Sequence, residues 1–191
     1  MARSASRGAG ALAAVAAVVG ALGVGGCGTT DGTPRGDHVV APSSVALPYR
    51  VDVPDVAGTG CPPHAFDVPA PSTVATVGTG AGASEATVPL GDGAYLLAAC
   101  LGRVADVGTV DEIAAAPAPE GATLVGTLDV TSPHGDGVRR TTRIGDQVLS
   151  DHLVERDGWV HVVGYLRRAD VGDRHQGVVD AVLSSWSWTD R

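Results

Sequence analysis

Two histidines are the first candidates for chemistry in this chain of 191 residues. His152 and His161 flank Asp157-Gly158, a dipeptide that favours a two-residue β-turn. Such a turn pairs His161 with Val154 and His152 with Val163, which places both imidazoles diagonally on one face, about 7–8 Å apart. Two imidazoles can begin a metal site, but zinc takes three or four protein ligands, and neither hairpin strand offers a cysteine or carboxylate there. We therefore expect both rings to fill a partly buried sheet surface or to face solvent, with no metal.

Other motifs that could carry chemistry stand in the wrong context. Residues 78–83 formally satisfy the dinucleotide pattern G-x-G-x-x-G/A, but Thr87-Val88-Pro89 follows instead of a helix, so we expect a mobile loop. No G-x-S-x-G nucleophile motif occurs. The adjacent carboxylates Asp111 and Glu112 belong to a helix start, where the helix dipole favours negative charge. The sequence therefore predicts no enzyme, no catalytic residue and no cofactor; a hydrolase or metal-dependent enzyme using His152 and His161 remains the alternative.

The charge balance argues against nucleic acid as a partner. The chain carries 13 basic and 21 acidic residues, a net charge of −8, whereas phosphate binding needs a basic face. Arginines cluster only at Arg139-Arg140 with Arg143 and at Arg167-Arg168. A patch for an anionic ligand is conceivable there. In so acidic a chain we expect these arginines to pair with aspartates instead.

The N-terminus has the layout of a signal peptide, which we assign to residues 1–26. Arg3 and Arg7 precede an uncharged run from Gly8 to Val24 built almost wholly from Ala, Val, Leu and Gly. This run is short and only weakly hydrophobic for a permanent transmembrane helix. We therefore expect export from the cytoplasm.

The residues that end this run resemble the lipobox of bacterial lipoproteins. Leu22-Gly23-Val24-Gly25-Gly26-Cys27 places small residues before a cysteine, as that motif does. The resemblance implies cleavage and acylation at Cys27, and multiple acyl chains give stable membrane anchoring. It predicts a protein anchored by lipid to the outer side of the cell membrane. In the alternative, an ordinary secreted protein, Cys27 is a spare thiol.

The two remaining cysteines predict a disulfide. If lipid modifies Cys27, Cys61 and Cys100 are left, and an even number of cysteines outside the cytoplasm favours a bridge. Closing a loop of about 40 residues stabilises a fold by roughly 3–4 kcal/mol on the chain-entropy model. A redox or nucleophilic role is the alternative, but no C-x-x-C motif and no basic cluster supports it.

The elements that must position these residues begin after a tether. Residues 27–44 have the composition of a flexible linker, and residues 45–191 are predicted to form one globular α+β domain. Alternation predicts a strand at Tyr49–Val53, and further strands are expected at 72–77 and 95–104. Thr109 and Glu112 have the spacing of a capping box that opens a short helix.

The second half of the domain has the clearest pattern. Four strand-like runs, 122–130, 138–144, 148–156 and 159–167, follow one another with turn residues between them. Asp173 is then expected to start the cap of a helix whose apolar stripe consists of Val178, Val179, Val182, Leu183 and Trp186.

This order of elements resembles the PsbP-type fold, including the LpqN-type envelope lipoproteins of actinobacteria. The resemblance covers residues 94–188 and rests on topology together with Asp157-Gly158-Trp159, Gly164-Tyr165-Leu166 and the run Val182-Leu183-Ser184-Ser185-Trp186. It implies an α/β/α sandwich around a central antiparallel sheet with a C-terminal amphipathic helix. It implies little about function, since that fold hosts binding and assembly-factor roles in unrelated settings. Residues 49–87, rich in Pro and Gly, depart from the pattern.

Large aromatic residues are the candidates for a binding groove. Trp159, Trp186, Trp188 and Tyr165 are expected beside the terminal helix, where they would form an apolar groove or pack in the core. The sequence thus predicts a lipid-anchored envelope protein that binds a partner protein or a lipid-like apolar ligand. An envelope hydrolase is the competing hypothesis.

Overall fold

The computed structural model describes residues 36–40, 44–53, 61–77 and 83–188, and β-strands predominate in it. The predicted signal peptide, Cys27 and most of the glycine motif at 78–83 lie outside these residues. The strands are β1 (Gly36–Val39), β2 (Tyr49–Val53), β3 (His64–Val68), β4 (Thr73–Val77), β5 (Ala83–Gly91), β6 (Ala94–Arg103), β7 (Ala122–Ser132), β8 (Gly135–Ile144), β9 (Gln147–Arg156), β10 (Trp159–Arg168) and β11 (Ser187–Trp188). The helices are α1 (Val104–Val107), α2 (Val110–Ala115) and α3 (Gln176–Ser185).

The strands form two sheets. The large sheet has the order β1-β7-β8-β9-β10-β6-β5-β4, and the small sheet has the order β11-β3-β2. All pairs are antiparallel except β1 with β7, which run parallel, so the large sheet is mixed. The prediction of an α+β domain with a C-terminal helix is confirmed. The expectation of a purely antiparallel central sheet is wrong because β1 joins it.

The predicted hairpin around Asp157 and Gly158 is confirmed in type and register. Both residues have positive φ, 51° and 76°, as a type I′ turn requires. His161 pairs with Val154 and His152 with Val163. The four strands predicted in the second half all form, each extended by one to three residues. Local turn chemistry therefore fixes the centre of the large sheet.

The two faces of the large sheet carry different layers. On one face, α3 and the small sheet form a core with side chains of β5, β6 and β10; its members include Phe66, Val88, Tyr165, Val182 and Trp186. On the other face, Val160 and Val162 of β10 pack with Val107 of α1 and Ile113 of α2. Strand β6 contributes to both cores, so its apolar run is buried on both sides, as predicted.

Strand β1 corrects the predicted tether. Residues 36–40 lie inside the segment expected to be a flexible linker, yet Gly36–Val39 pairs with β7 and Val40 is buried. The imidazole of His38 also lies 3.1 Å from the carboxylate of Asp180 on α3. The linker prediction is therefore wrong for residues 36–40. The strand is short and has few apolar residues, so it has no local signal, and its partners in β7 and α3 lie far along the chain.

The two predicted helix caps have different outcomes. The capping box is confirmed: the Thr109 side chain accepts a hydrogen bond from the Glu112 backbone N–H, and the Glu112 carboxylate accepts one from the Thr109 N–H. The cap at Asp173 is wrong, because α3 begins after His175 without a side-chain cap. Asp173 instead binds Arg167 at 2.7 Å. No helix among the described residues is long and apolar enough to cross a membrane.

Candidate functional site

All six histidines of the chain lie near the C-terminal segment that starts at residue 175. His38 lies beside the Asp180 carboxylate, and His134 lies beside the Ser184 carbonyl. His64 is stacked on the Trp186 ring, and His161 contacts the rings of Trp186 and Trp188. His152 lines a pocket together with Leu183, and His175 is the residue before the first turn of α3. No local sequence pattern connects them, because they come from five different parts of the chain. The face of the large sheet that carries α3 is therefore the candidate functional face.

An aromatic stack forms the end of this histidine-rich region. The His64 ring lies parallel to the Trp186 ring at 4.7 Å, and the Phe66 ring is stacked on Trp186 at 4.9 Å. Trp188 closes the group, 5.9 Å from Trp186. Antiparallel pairing of β11 with β3 creates this arrangement, because it places Trp188 opposite His64. Neither β3 nor β11 was predicted.

A pocket lies between this stack and the sheet. It measures about 310 Å³ with its open mouth included, but the enclosed part has room for only one or two water molecules. Its lining contains no carboxylate and no lysine or arginine; the residues are Ser132, His134, His152, Val154, His161, Val162, Val163, Leu183, Trp186 and Trp188. The pocket is therefore apolar except for its histidines, a serine and the indole N–H groups.

Burial favours the neutral form of three histidines in and beside the pocket, His152, His161 and His64. It lowers the pKa of His152 to about 3, helped by repulsion from Arg139. It likewise lowers the pKa of His161 to about 3, with a smaller contribution from His64, and it lowers the pKa of His64 itself. Because an effective general base has a pKa near the working pH, neutral rings with such low pKa values are poor acid–base catalysts.

Several buried polar atoms around the pocket have no hydrogen-bond partner among the described residues. They include Nε2 of His152, both ring nitrogens of His161, and the indole nitrogens of Trp186 and Trp188. His152 donates from Nδ1 to the Val163 carbonyl, so its Nε2 carries an unshared electron pair. Buried polar atoms are rarely left unpaired, so these donors and acceptors are available to water or to a bound molecule.

The predicted disulfide is present and borders the same region. Cys61 and Cys100 are bonded, with their Cα atoms 6.5 Å apart. Cys100 lies directly opposite His161 in the pairing of β6 with β10. The sulfur atoms and a ring nitrogen of His161 all lie within 4.8 Å of one another. Neither hairpin strand offers a cysteine, as expected; the cysteine beside His161 comes from β6, the strand on the other side of β10, which the sequence argument did not consider.

The structure brings together only part of the predicted groove. Trp186 and Trp188 line the pocket, whereas Tyr165 is fully buried near the other end of β10 and donates its hydroxyl to the Gly172 carbonyl. Trp159 lies outside the pocket lining, with the Arg103 guanidinium 5.0 Å from its ring centre. His152 and His161 share the pocket, but the one cluster of metal-ligand type in the described part of the chain does not include His152.

The opposite face of the sheet holds a second buried site that the sequence did not reveal. Arg140 is 1% exposed and donates hydrogen bonds to the Ala116 and Pro117 carbonyls. Asp151 pairs with Arg140 in the register of β8 and β9, and burial raises the pKa of its carboxyl to about 7 even though the Arg140 charge lowers it. A pocket lined mainly by Leu and Ile side chains surrounds both. The sequence contains both charged residues, but that Arg140 lies opposite Asp151 can be seen only when the register of β8 and β9 is known.

Every arginine of the two clusters has a partner within the protein, but the expected aspartate partners occur only in the second cluster. Arg140 points into the core, and Arg139 reaches Gln176 at 3.4 Å. Arg167 and Arg168 pair with Asp173 and Asp170, as expected of arginines in an acidic chain.

Comparison with models of known protein families finds no match, and comparison with curated proteins finds no significant one. Functional inference therefore rests on the sequence signals and on the geometry of the pocket.

Proposed function

We propose that this protein is a lipid-anchored component of the cell envelope whose domain binds a partner, and that it is not an enzyme. The signal-peptide layout and the lipobox resemblance at Cys27 support the location. The observation that carries the binding role is the pocket under α3: an apolar space bounded by Trp186 and Trp188, with unpartnered buried donors and acceptors around it.

The pocket favours a protein partner over a lipid-like ligand. Its enclosed part has room for only one or two water molecules, so an acyl chain enters only if α3 moves. An acyl chain also offers nothing to the unpaired nitrogens of Trp186, Trp188 and His152. A segment of polypeptide at the mouth offers both carbonyl acceptors and N–H donors, together with apolar side chains that cover the indoles.

The PsbP-like architecture is part of the same proposal. Helices α1 and α2 on one face of the large sheet and α3 on the other support a three-layer arrangement. The parallel strand β1 and the separate small sheet β11-β3-β2 are additions to the pattern that the resemblance implies. The fold supports a binding or assembly role only by analogy, since one fold hosts many functions.

An envelope hydrolase or metal-dependent enzyme using His152 and His161 is the weaker candidate. Both rings have a pKa near 3, and the pocket lining offers neither a carboxylate to orient them nor a cysteine. Hydrolysis of ester or amide substrates by the purified chain, lost in a His161→Ala variant, would overturn the proposal of a binding protein.

The binding role is tested on the full-length protein, extracted from membranes with mild detergent and examined by native mass spectrometry. We expect a stoichiometric complex with a second envelope protein that Trp188→Ala weakens and that Trp159→Ala, outside the pocket, leaves intact. A copurifying lipid lost in Trp188→Ala would replace the protein partner with an apolar ligand. Equal loss in both variants, or no bound species at all, would contradict a binding site at the pocket.

The anchor is tested independently. A Cys27→Ala variant is expected to leave the membrane fraction and to appear in the soluble exported fraction, because acylation needs that thiol. Retention of the variant in membranes would contradict lipid anchoring at Cys27.

A further inference from the structure

The disulfide and a neighbouring histidine together form an unusual set of potential metal ligands. The sulfur atoms of Cys61 and Cys100 and a ring nitrogen of His161 lie within 4.8 Å of one another, and the S–S bond occupies both sulfurs. Thiolates and imidazole are the ligands that zinc and cuprous ions select. Opening the S–S bond would therefore turn a structural bridge into a Cys₂His ligand set.

His161 is in a suitable state to act as a ligand. Both of its ring nitrogens lack a hydrogen-bond partner in the described ranges, and the residue is 2% exposed. A metal ligand must be an imidazole with an unshared electron pair, and no donor among the described residues engages either nitrogen of this ring. Leaving both nitrogens of a buried imidazole unpaired is costly, so a bound ion would satisfy a group that the bridged form leaves unsatisfied.

His64 lies close enough to support the same site. Its ring centre is 5.2 Å from that of His161, in an edge-to-face arrangement. Its Nδ1 donates to the Pro62 carbonyl, so Nε2 carries an unshared pair, and this atom is also buried without a partner among the described residues. His64 can thus serve as a fourth ligand after a local shift, which would complete the Cys₂His₂ set typical of structural zinc sites.

The geometry points to a redox-controlled metal site at Cys61, Cys100 and His161 that takes a thiophilic ion, Zn²⁺ or Cu⁺, when the disulfide is reduced. A dithiol reductant transfers two electrons and two protons to the bridge; the S–S bond breaks, two thiols form and the dithiol becomes a disulfide. The ion then displaces both thiol protons and binds the two thiolates with the imidazole. As a whole residue Cys61 is less buried than Cys100, so a reductant approaches the bridge from the Cys61 side.

The test uses the full chain with Cys27→Ala, which removes the third thiol. Oxidised and phosphine-reduced samples are titrated anaerobically with Zn²⁺ or Cu⁺ and examined by native mass spectrometry, and Co²⁺ replaces Zn²⁺ to report thiolate coordination by absorption. We expect one ion per reduced chain and none per oxidised chain. The ion that binds more tightly in competition with a chelator identifies the preferred metal.

Matched variants locate the site. His161→Ala is expected to weaken binding more than about 100-fold, since loss of a second-shell group alone costs 10–100-fold. His134→Ala, another pocket histidine but one that donates to the Ser184 carbonyl, is expected to bind as the parent does. Equal affinity of the parent and His161→Ala, or no binding to the reduced parent, would overturn the inference.

If reduction unfolds the chain, circular dichroism measures whether the metal ion restores the fold. Recovery of the folded spectrum on adding the ion would support the site, because metal binding is then coupled to folding. A reduced chain that stays unfolded and binds no ion would overturn it.

Discussion

The two faces of the large sheet bury titratable groups in opposite ways. Beneath α3, burial lowers the pKa of His152 and His161 to about 3, so the groups there are neutral. Beneath α2, burial raises the pKa of Asp151 to about 7, beside the buried Arg140. The pocket end of the α3 face is built from aromatic rings and the uncharged imidazoles of His152 and His161, whereas the α2 face holds the buried Arg140 beside a proton-binding carboxyl. The other end of the α3 face also contains a buried arginine, Arg167, which lies over the Tyr165 ring and pairs with Asp173. The proposed binding role belongs to the α3 face, and the buried Arg140 of the α2 face supports the fold by bonding to the Ala116 and Pro117 carbonyls.

The largest expected loss of stability comes from a substitution in the core beneath α3. Trp186→Ala removes a ring that is 5% exposed and stacked on His64 and Phe66. We expect the free energy of unfolding to fall by about 3–5 kcal/mol, as for other buried aromatic residues. Urea denaturation monitored by circular dichroism measures it. Trp159→Ala, at a partly exposed position, is the control, and an equal loss in both would show that Trp186 is not at the centre of this face.

The second-largest expected loss of stability comes from a substitution beneath α2. Arg140→Ala removes two hydrogen bonds to carbonyl groups and the cation beside Asp151, and we expect a loss of about 3 kcal/mol. The loss should be greater at pH 8 than at pH 5, because Asp151 is ionised only at the higher pH. The control is Arg143→Ala, an exposed arginine, with an expected loss below about 0.5 kcal/mol. A loss in Arg140→Ala that does not vary with pH would contradict electrostatic coupling to Asp151.

The opposed pKa shifts predict a stability that rises from pH 5 to about pH 6.5 and changes little from there to pH 8. His152 and His161 contribute stability that is full above 6.5, their unfolded value, and is lost as pH falls toward 3, by up to about 1.4 kcal/mol per pH unit each. Asp151 contributes stability that is full below 3.8 and is lost as pH rises to about 7. The two histidines lose more stability on acidification than Asp151 gains. We therefore expect the free energy of unfolding to fall by about 2 kcal/mol between pH 6.5 and pH 5.

Urea denaturation at pH 5, 6.5 and 8 measures this profile. Asp151→Asn sharpens it, because the amide cannot ionise: relative to the parent, the variant should gain most at pH 8 and least at pH 5. A parent whose stability is highest at pH 5, or a variant whose effect is the same at every pH, would show that these pKa shifts are absent.

The smallest effect concerns the capping box of α2, the helix that packs over the Arg140 side. Thr109→Ala should lower the free energy of unfolding by about 1 kcal/mol, because the Glu112 backbone N–H loses its acceptor. Thr123→Ala, in an exposed strand position, serves as a control. A loss confined to local hydrogen exchange in α2, without change in global stability, would place this helix outside the cooperative core.

Sequence patterns predicted the parts of the fold that are fixed locally. The turn at Asp157-Gly158 set the register of β9 and β10, and Thr109 with Glu112 marked the start of α2. Strands β1 and β11 were missed because each is short and depends on a partner far along the chain. Strand β3 was missed because its pattern follows Pro62-Pro63 and carries little alternation, with four of its five residues buried.

The candidate site was only partly predictable, for the same reason. The disulfide followed from counting cysteines, and the shared face of His152 and His161 followed from the turn. The contact of His161 with Cys100 depends on β6 lying beside β10, and that of His64 with Trp186 depends on β3 lying beside β11. Neither pairing has a local signal, so the pattern of the chain could not reveal the cluster.

The most direct test of the contrast between the two faces is a pH titration by NMR of the oxidised protein, with ¹³C-labelled histidine and aspartate. We predict that the His152 ring stays neutral well below pH 5, with a pKa of about 3, while the Asp151 carboxyl titrates at about 7. A His152 pKa near 6.5 together with an Asp151 pKa near 3.8 would mean that neither group is buried as described. That result would contradict the neutral aromatic pocket on which the proposed binding role rests.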